Sequence, residues 1–395
     1  MELRFNAVMI RATLCLTGDS LSLTKVENHE GVESQKGAEN RNGASSHCVI
    51  AATATALPPH TITRADVKYY MGRIFDIPER KLEAMMSIVD NARVHNRHSI
   101  FPIEYTVEPR PLSKTNEEYM EHAIKLGREA AEKCLDRAGL KPKDIDLIIT
   151  VSCTGFMIPS LDAHLIHLMG FRSNVRRMPF TELGCAAGAM ALGRAADYLK
   201  AEPGGNVLII AVELPSLTFQ RKDISQANLI SSILFGDGAA AVVVSGKAQH
   251  GPKILVSETY TFPDSLGAMG FDLRDSGFHI LLAKDVPEMI GAKINELVDG
   301  FLDRCKKKRE DIKGWILHPG GARLLGNVET QLGLKSCQTQ PSWDVLANVG
   351  NLSSATILFI LQEWLEKRPL KSGEHALLAA FGPGFSAEFL LLQWT

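Results

Sequence analysis

Long apolar runs are missing from this chain of 395 residues, and that excludes a helical membrane span. The longest, Asn206 to Val212 and Gly238 to Val244, suit strands buried on both faces. The start, Met1 to Leu16, is mildly apolar but carries Arg4 and Arg11 inside it. A signal peptide puts its charge first, then an unbroken apolar stretch, then small residues. Cysteine is sparse: seven residues with irregular spacing make no disulfide framework. No cluster of Cys and His has the spacing of metal ligands, so no metal is expected. A reducing cytoplasm is the expected compartment. An excess of one charge is also lacking, with 43 Lys and Arg against 45 Asp and Glu. No general pull toward nucleic acid follows, and an anionic ligand must be met by a local patch.

What is present is a chain that is 45% hydrophobic, enough for one large core or two fused half-domains. Residues 1–46 are expected to form a disordered tail, because Thr17 to Ser46 is polar and rich in Gly, Asn, Glu and Ser. The fold should start near Cys48 with an apolar strand that ends at Pro58-Pro59. Helices are predicted from about Thr63 to Asp90 and from Asn116 to Ala138. Between them, Ser99 to Pro111 carries three prolines and reads as an extended loop.

From there the chain repeats itself. Leu135-Asp136-Arg137, Asp144-Ile145 and Ile149 recur at one constant displacement as Leu302-Asp303-Arg304, Asp311-Ile312 and Ile316. Gly184-Cys185 answers Gly350-Asn351, one residue out of step, each opening a helical pattern. Phe235 to Ala241 and Phe381 to Ala387 both fit Phe-Gly-x-Gly-x-x-Ala and both run into an apolar strand. Three matches in one order predict two similar α/β halves, residues 47–250 and 251–395, with sheets covered on both faces.

Three residues invite chemistry. Cys185 sits among small residues at the start of a helical pattern, where free backbone N–H groups and the helix dipole favour thiolate. Its plain alternative is an inert core cysteine. His318 ends a strand before Pro319 and the turn Gly320-Gly321; the alternative is a hydrogen-bonded structural histidine. Asn351 could be a helix N-cap. The repeat gives Cys185 and Asn351 equivalent places, and the strand ending near Cys153 answers the one ending at His318. A pseudo-twofold axis would bring these ends to one site. Cys, His and Asn suit a cysteine hydrolase. They equally suit a condensing enzyme, where His and Asn hold a thioester carbonyl as an oxyanion hole does.

The pieces Leu234-Phe235-Gly236-Asp237-Gly238, His318-Pro319-Gly320-Gly321, Gly350-Asn351-Leu352-Ser353-Ser354 and Gly382-Pro383-Gly384 resemble the type III polyketide synthases. These are the chalcone and stilbene synthase relatives within the thiolase superfamily, and the likeness runs from about Cys48 to Thr395. It implies a thiolase-like αβαβα layered fold built from two duplicated halves. It implies an acyltransferase without a cofactor: Cys185 holds a starter acyl group, and His318 and Asn351 position malonyl-CoA for decarboxylation. Phe235 falls on the family's gatekeeper phenylalanine. Gly382 and Pro383 fall on a loop that shapes the cavity floor, and Ser353 on a serine near the cysteine. Ser231, Gly320, Gly321 and Ala322 complete the expected substrate contacts.

Departures bear on the substrate. Ile280 stands at a second gatekeeper position, Phe271 at a glycine of the plant cavity, and Cys153 where plant enzymes carry threonine. These changes favour a fatty acyl starter and an alkylpyrone or alkylresorcinol-type product over an aromatic starter. Ketoacyl synthase III enzymes share the Cys, His and Asn and are an alternative, as are a hydrolase and an acyl-CoA binder without turnover. The likeness implies a homodimer, with Ile158 reaching into the partner's cavity, and leaves room for an acyl carrier protein as starter donor. For the CoA phosphates, Lys81, Arg93 and Arg97 are the candidates; the run Lys306 to Arg309 reads as a solvated loop.

Overall fold

In the computed structural model, residues 48–75 and 77–395 are described. The tail expected over residues 1–46 lies outside them. The first half runs β1 (Val49–Ala56), β2 (His60–Thr63), α1 (Arg64–Ile74), α2 (Glu79–Asn91), β3 (Asn96–Ser99), α3 (Ile103–Thr106), α4 (Leu112–Ala138), β4 (Leu147–Val151), α5 (Leu161–Met169), β5 (Arg176–Phe180), α6 (Ala187–Ala201), β6 (Asn206–Glu213), α7 (Gln226–Leu234) and β7 (Gly238–Ser245). The second runs β8 (Pro252–Thr261), β9 (Met269–Arg274), β10 (Gly277–Leu282), α8 (Val286–Arg304), β11 (Ile312–Leu317), α9 (Ala322–Leu332), α10 (Gln340–Val349), α11 (Thr356–Lys367), β12 (His375–Gly382) and β13 (Ser386–Trp394). The proline-rich loop holds one short helix, α3, which starts directly after Pro102, where a missing N–H costs nothing.

The main sheet has nine strands in the order β11-β12-β13-β8-β1-β7-β6-β4-β5. At its middle, β8 and β1 share a single register pair, Val49 with Lys253. Outward from that seam the two flanks follow one rule. β1 to β7 and β7 to β6 are antiparallel and β6 to β4 is parallel. Likewise β8 to β13 and β13 to β12 are antiparallel and β12 to β11 is parallel. The duplication read from short motifs is thus present in the hydrogen-bond ladder.

Side-chain alternation along the strands builds the layers. In β6, Val207, Ile209 and Ala211 face the central core, and Leu208, Ile210 and Val212 face an outer core with α4 and α5. In β12, Ala376, Leu378 and Ala380 face the centre, and Leu377, Ala379 and Phe381 face α8, α9 and α10. The central core holds α6 and α11, one from each half. The order is helix, sheet, paired helices, sheet, helix. The inner strands β6, β7 and β12 are buried along their whole length, which explains their lack of polar alternation. Among the described residues no helix is long and apolar enough to cross a membrane.

Candidate active site

The paired helices α6 and α11 each begin with a tight turn, Gly184–Ala186 and Ser353–Ala355. Close packing fixes these turns. A Cβ on Gly184 (φ +49°) would lie 2.6 Å from Pro383 Cδ, and one on Gly382 would lie 2.6 Å from the Ala186 nitrogen. Only glycine lets the two loops interlock, and at φ +49° only glycine avoids strain. Gly382 therefore supports the Cys185 turn from behind. Its neighbour Pro383, from the loop expected to shape the cavity floor, lines the smaller of the two cavities at the site.

The two cavities meet at Cys185, Phe235 and Met269. One, of about 240 Å³, is lined by Cys153, Ser231, Phe271, Ile280, Ser353 and Pro383. The other, of about 360 Å³, is lined by His318, Gly320, Gly321, Ala322 and Asn351. Phe271 and Ile280, the two departures noted in the sequence, are direct cross-strand partners in the β9–β10 hairpin. They form one wall as a pair, and a change at either alters the same surface.

Asn351 is held rigidly. Its Oδ1 accepts from the Ser353 backbone N–H at 2.8 Å and the Thr356 hydroxyl at 3.1 Å. Its Nδ2 donates to the Gly320 carbonyl at 2.9 Å. An N–H must face an acceptor and a carbonyl must face a donor, so the amide has one orientation. One amide hydrogen remains for a ligand. The N-cap weighed for this residue is not what forms: Leu352 and Ala355 hold the cap positions, and the Asn351 oxygen instead braces the turn from just ahead of it.

His318 directly follows β11, where its backbone N–H donates to the Ala379 carbonyl at 2.9 Å. Its ring is buried, and neither ring nitrogen has a protein partner. Burial pushes it down to about 4, so it is a neutral imidazole near pH 7. Burial also pushes the Cys185 thiol up to about 12, against the pull of the Ser353 and Asn351 side chains. The helix start suggested a thiolate; desolvation in an apolar pocket outweighs it, and the resting group is a thiol.

Ser353 stands between two sulfurs. The Cys185 thiol donates to its Oγ at 3.6 Å, and Cys153 Sγ lies 3.5 Å from it. The serine holds φ +48°, a strained conformation for a residue with a Cβ. Beneath it lies Glu213, fully buried at the end of β6. Its carboxylate accepts from the hydroxyls of Thr154 and Ser354 and from the Cys153 backbone N–H. Burial raises its pKa. Sequence reasoning missed Glu213. Its signal is the one charge closing an otherwise apolar strand.

The basic candidates divide. Arg97 is buried and donates to the Phe235 carbonyl at 3.0 Å, lining a small side chamber and not the larger cavity. Arg93 lies over the Trp343 ring, and Lys81 donates to the Ile224 carbonyl. Lys284 and Arg323, which no sequence motif marks, line the larger cavity. Ile158 is 96% exposed.

The N-terminal domain model of the chalcone and stilbene synthases matches residues 35–248, and the C-terminal domain model matches residues 253–394. A 1,3,6,8-tetrahydroxynaphthalene synthase of Streptomyces peucetius subsp. caesius is 37% identical over 350 residues, covering 87% of this chain and 93% of that one. A phloroglucinol synthase of Pseudomonas fluorescens is 33% identical over 344 residues, covering 86% and 97%. The crystal structure of the Streptomyces coelicolor A3(2) tetrahydroxynaphthalene synthase, a bacterial type III polyketide synthase, aligns with a TM-score of 0.85 at 35% identity, covering 88% of this chain and 99% of that one.

Proposed function

The chain belongs to the chalcone and stilbene synthase family of type III polyketide synthases, and from that premise we propose how its site works and what it takes. The starter is an acyl-CoA and the extender malonyl-CoA. The carrying observation is the meeting of two cavities at one cysteine: a thioester delivered through one can leave its acyl group facing the other.

In the first step the Cys185 sulfur attacks the starter carbonyl as its proton passes to His318, and CoA leaves with a proton. In the second, the free N–H groups of Asn351 and His318 hold the thioester oxygen of malonyl-CoA. Loss of CO₂ leaves an enolate, and neutral donors in a dry site stabilise it without a proton change. The enolate carbon attacks the Cys185 thioester, a carbon–carbon bond forms, and the sulfur leaves. Phe235, at the junction, excludes water from the enolate. Lys284 at the larger cavity is the cation placed for the CoA phosphates, with Arg323 beside it already paired to Glu288.

The proposed starter is a fatty acyl chain, and the product an alkylpyrone or alkylresorcinol. Support comes from the apolar wall of Phe271, Phe278, Ile280 and Leu273. A further chamber of about 70 Å³, lined by Met71, Ile74 and Phe75, abuts it across Thr218, Ser231 and Phe235. The exposed Ile158 supports a homodimer, since a second copy would cover it.

The test is a series of acyl-CoA starters of rising length with radiolabelled malonyl-CoA. Each methylene that enters the wall should tighten binding about fourfold until the space is full. Pyrone or resorcinol products and a rising trend are expected. Free fatty acid as sole product sinks the condensing reading; condensation with no length trend sinks only the fatty acyl starter.

A further inference from the structure

Arg97 is a buried cation close to the reaction, yet it lines neither cavity that meets at Cys185. It sits in β3, paired with Ile62 of β2 in a two-stranded antiparallel sheet. Its guanidinium donates to the carbonyl of Phe235. Its stem lies where two chain segments cross. A Cβ on Gly236 would fall 2.9 Å from Arg97 Cβ and 2.7 Å from the Val349 oxygen. One on Gly350 (φ +76°) would fall 3.5 Å from Arg97 Cβ and 2.5 Å from the Leu234 oxygen. Both glycines are needed for the crossing, and Arg97 packs against both.

The crossing joins Phe235 to Asn351. The Gly236 N–H donates to the Asn351 carbonyl at 3.0 Å, and the Asn351 N–H donates to the Leu234 carbonyl at 2.8 Å. The Phe235 N–H is used by the Ser231 carbonyl, which closes α7. Of the polar backbone groups around Phe235, its carbonyl is the one that Arg97 satisfies.

Asp237 completes the clamp. Fully buried, it accepts from the Ser216 N–H at 2.8 Å, the Ser216 hydroxyl and the Ile100 N–H at 2.9 Å. Its own N–H donates to the His98 carbonyl at 2.8 Å. It attracts Arg97 electrostatically. Three separate segments, residues 97–100, 216 and 235–237, are tied at one point.

We propose that Arg97 and Asp237 are positioning residues that fix the Phe235 ring relative to the Asn351 amide, and so couple decarboxylation to carbon–carbon bond formation. The proposal rests on the condensing reading above. A shift at this clamp moves the group that holds the enolate oxygen relative to the ring that shields it. The enolate then takes a proton from water before it meets the acyl thioester. Arg97 acts through the backbone: it borders the small side chamber beside Phe235 but neither cavity that meets at Cys185.

The test compares wild type, Arg97→Met, Arg97→Lys and Ser216→Ala, with malonyl and acyl thioesters supplied both as CoA and as N-acetylcysteamine, which lacks phosphates. CO₂ release and product formation are measured together. For Arg97→Met, kcat for product should fall about tenfold or more with both thioester forms, and CO₂ released per bond formed should rise. KM for the CoA forms should change less than about twofold, and Arg97→Lys should recover part of the coupling. A loss confined to CoA thioesters would make Arg97 a phosphate ligand and overturn the proposal. An unchanged coupling ratio would also overturn it. If Arg97→Met does not fold, Ser216→Ala decides, since it removes one donor to Asp237: a two- to threefold rise in CO₂ per product is expected, and no rise overturns the clamp. Absence of condensation in the wild type would instead overturn the underlying reading.

Discussion

The Cys185 corner and the Asn351 corner occupy equivalent places in the two halves, yet they are built for opposite ends. Each has a positive-φ glycine directly before the functional residue and a tight turn into a central helix, the turn holding Cys185 in one half and starting two residues after Asn351 in the other. The Cys185 side chain is held loosely, by a long contact to the Ser353 hydroxyl and the pull of the Asn351 side chain. The Asn351 side chain makes three hydrogen bonds, and its backbone two more. One frame thus carries a group left free to change its covalent partner and a group pinned so that it cannot turn. The difference lies in hydrogen-bond saturation and in the backbone, since Cys185 lies inside its tight turn while Asn351 precedes its own and bridges to Phe235.

The strongest way to break the comparison is to truncate each corner. Cys185→Ala should abolish acyl-enzyme and product, a loss of at least about 10⁴-fold, because Cys185 is the thiol that both cavities share. It should keep slow decarboxylation of malonyl-CoA. Asn351→Ala should do the reverse: acyl-enzyme still forms, and CO₂ release falls by about 10²-fold or more. Intact-mass analysis with the starter, beside CO₂ release without it, reads both. An acylated Cys185→Ala chain, or equal decarboxylation in both variants, would show that the corners do not divide the work this way.

Much of the frame was legible in the sequence because layered folds write themselves in period and repeat. Phe-Gly-x-Gly-x-x-Ala, met twice, announced β7 and β13, and the apolar runs announced strands covered on both faces. The side chains gathered at the cavity junction were legible where a local pattern marked them: a cysteine among small residues, a histidine before a glycine turn. Long-range pairing left no such mark. Arg97 stood out only as a cation, and its burial under Phe235 depends on a residue 138 positions away. The raised thiol of Cys185 was hidden for the same reason, since the helix start is local and the desolvation comes from both halves.

A milder break tests the interlocking glycines. Gly184→Ala places a Cβ against Pro383 and also strains a φ of +49°. Gly139→Ala strains a φ of +66° in open space. The second isolates backbone strain, about 1 kcal/mol. The first should cost about 1–3 kcal/mol more and slow acyl transfer to Cys185. Thermal melts and acylation rates of the two variants check this. Equal melting losses would mean that Pro383 yields and the interlock is not what sets the turn.

The smallest expected effect sits where the two halves differ most quietly. The repeat aligns Ala241 with Ala387, and so Val242 with Glu388. Val242 is part of the central apolar core, and Glu388 puts a carboxyl at the matching place. That carboxyl is 3% exposed and accepts from the Thr259 hydroxyl, and its other oxygen has no protein partner. Burial raises its pKa from 4.5 to about 7. Between those values the folded chain keeps a proton that the unfolded chain has released, so stability falls as pH rises through that window. Glu388→Gln keeps the Thr259 contact and removes the charge. Its stabilisation should be about 1 kcal/mol larger at pH 8 than at pH 5, after allowance for solvent that reaches the site. Denaturant melts at the two pH values measure it. A gain that is the same at both, or larger at pH 5, would mean that a partner in the fold offsets the cost of burying the carboxyl and that the halves are more alike here than the repeat suggests.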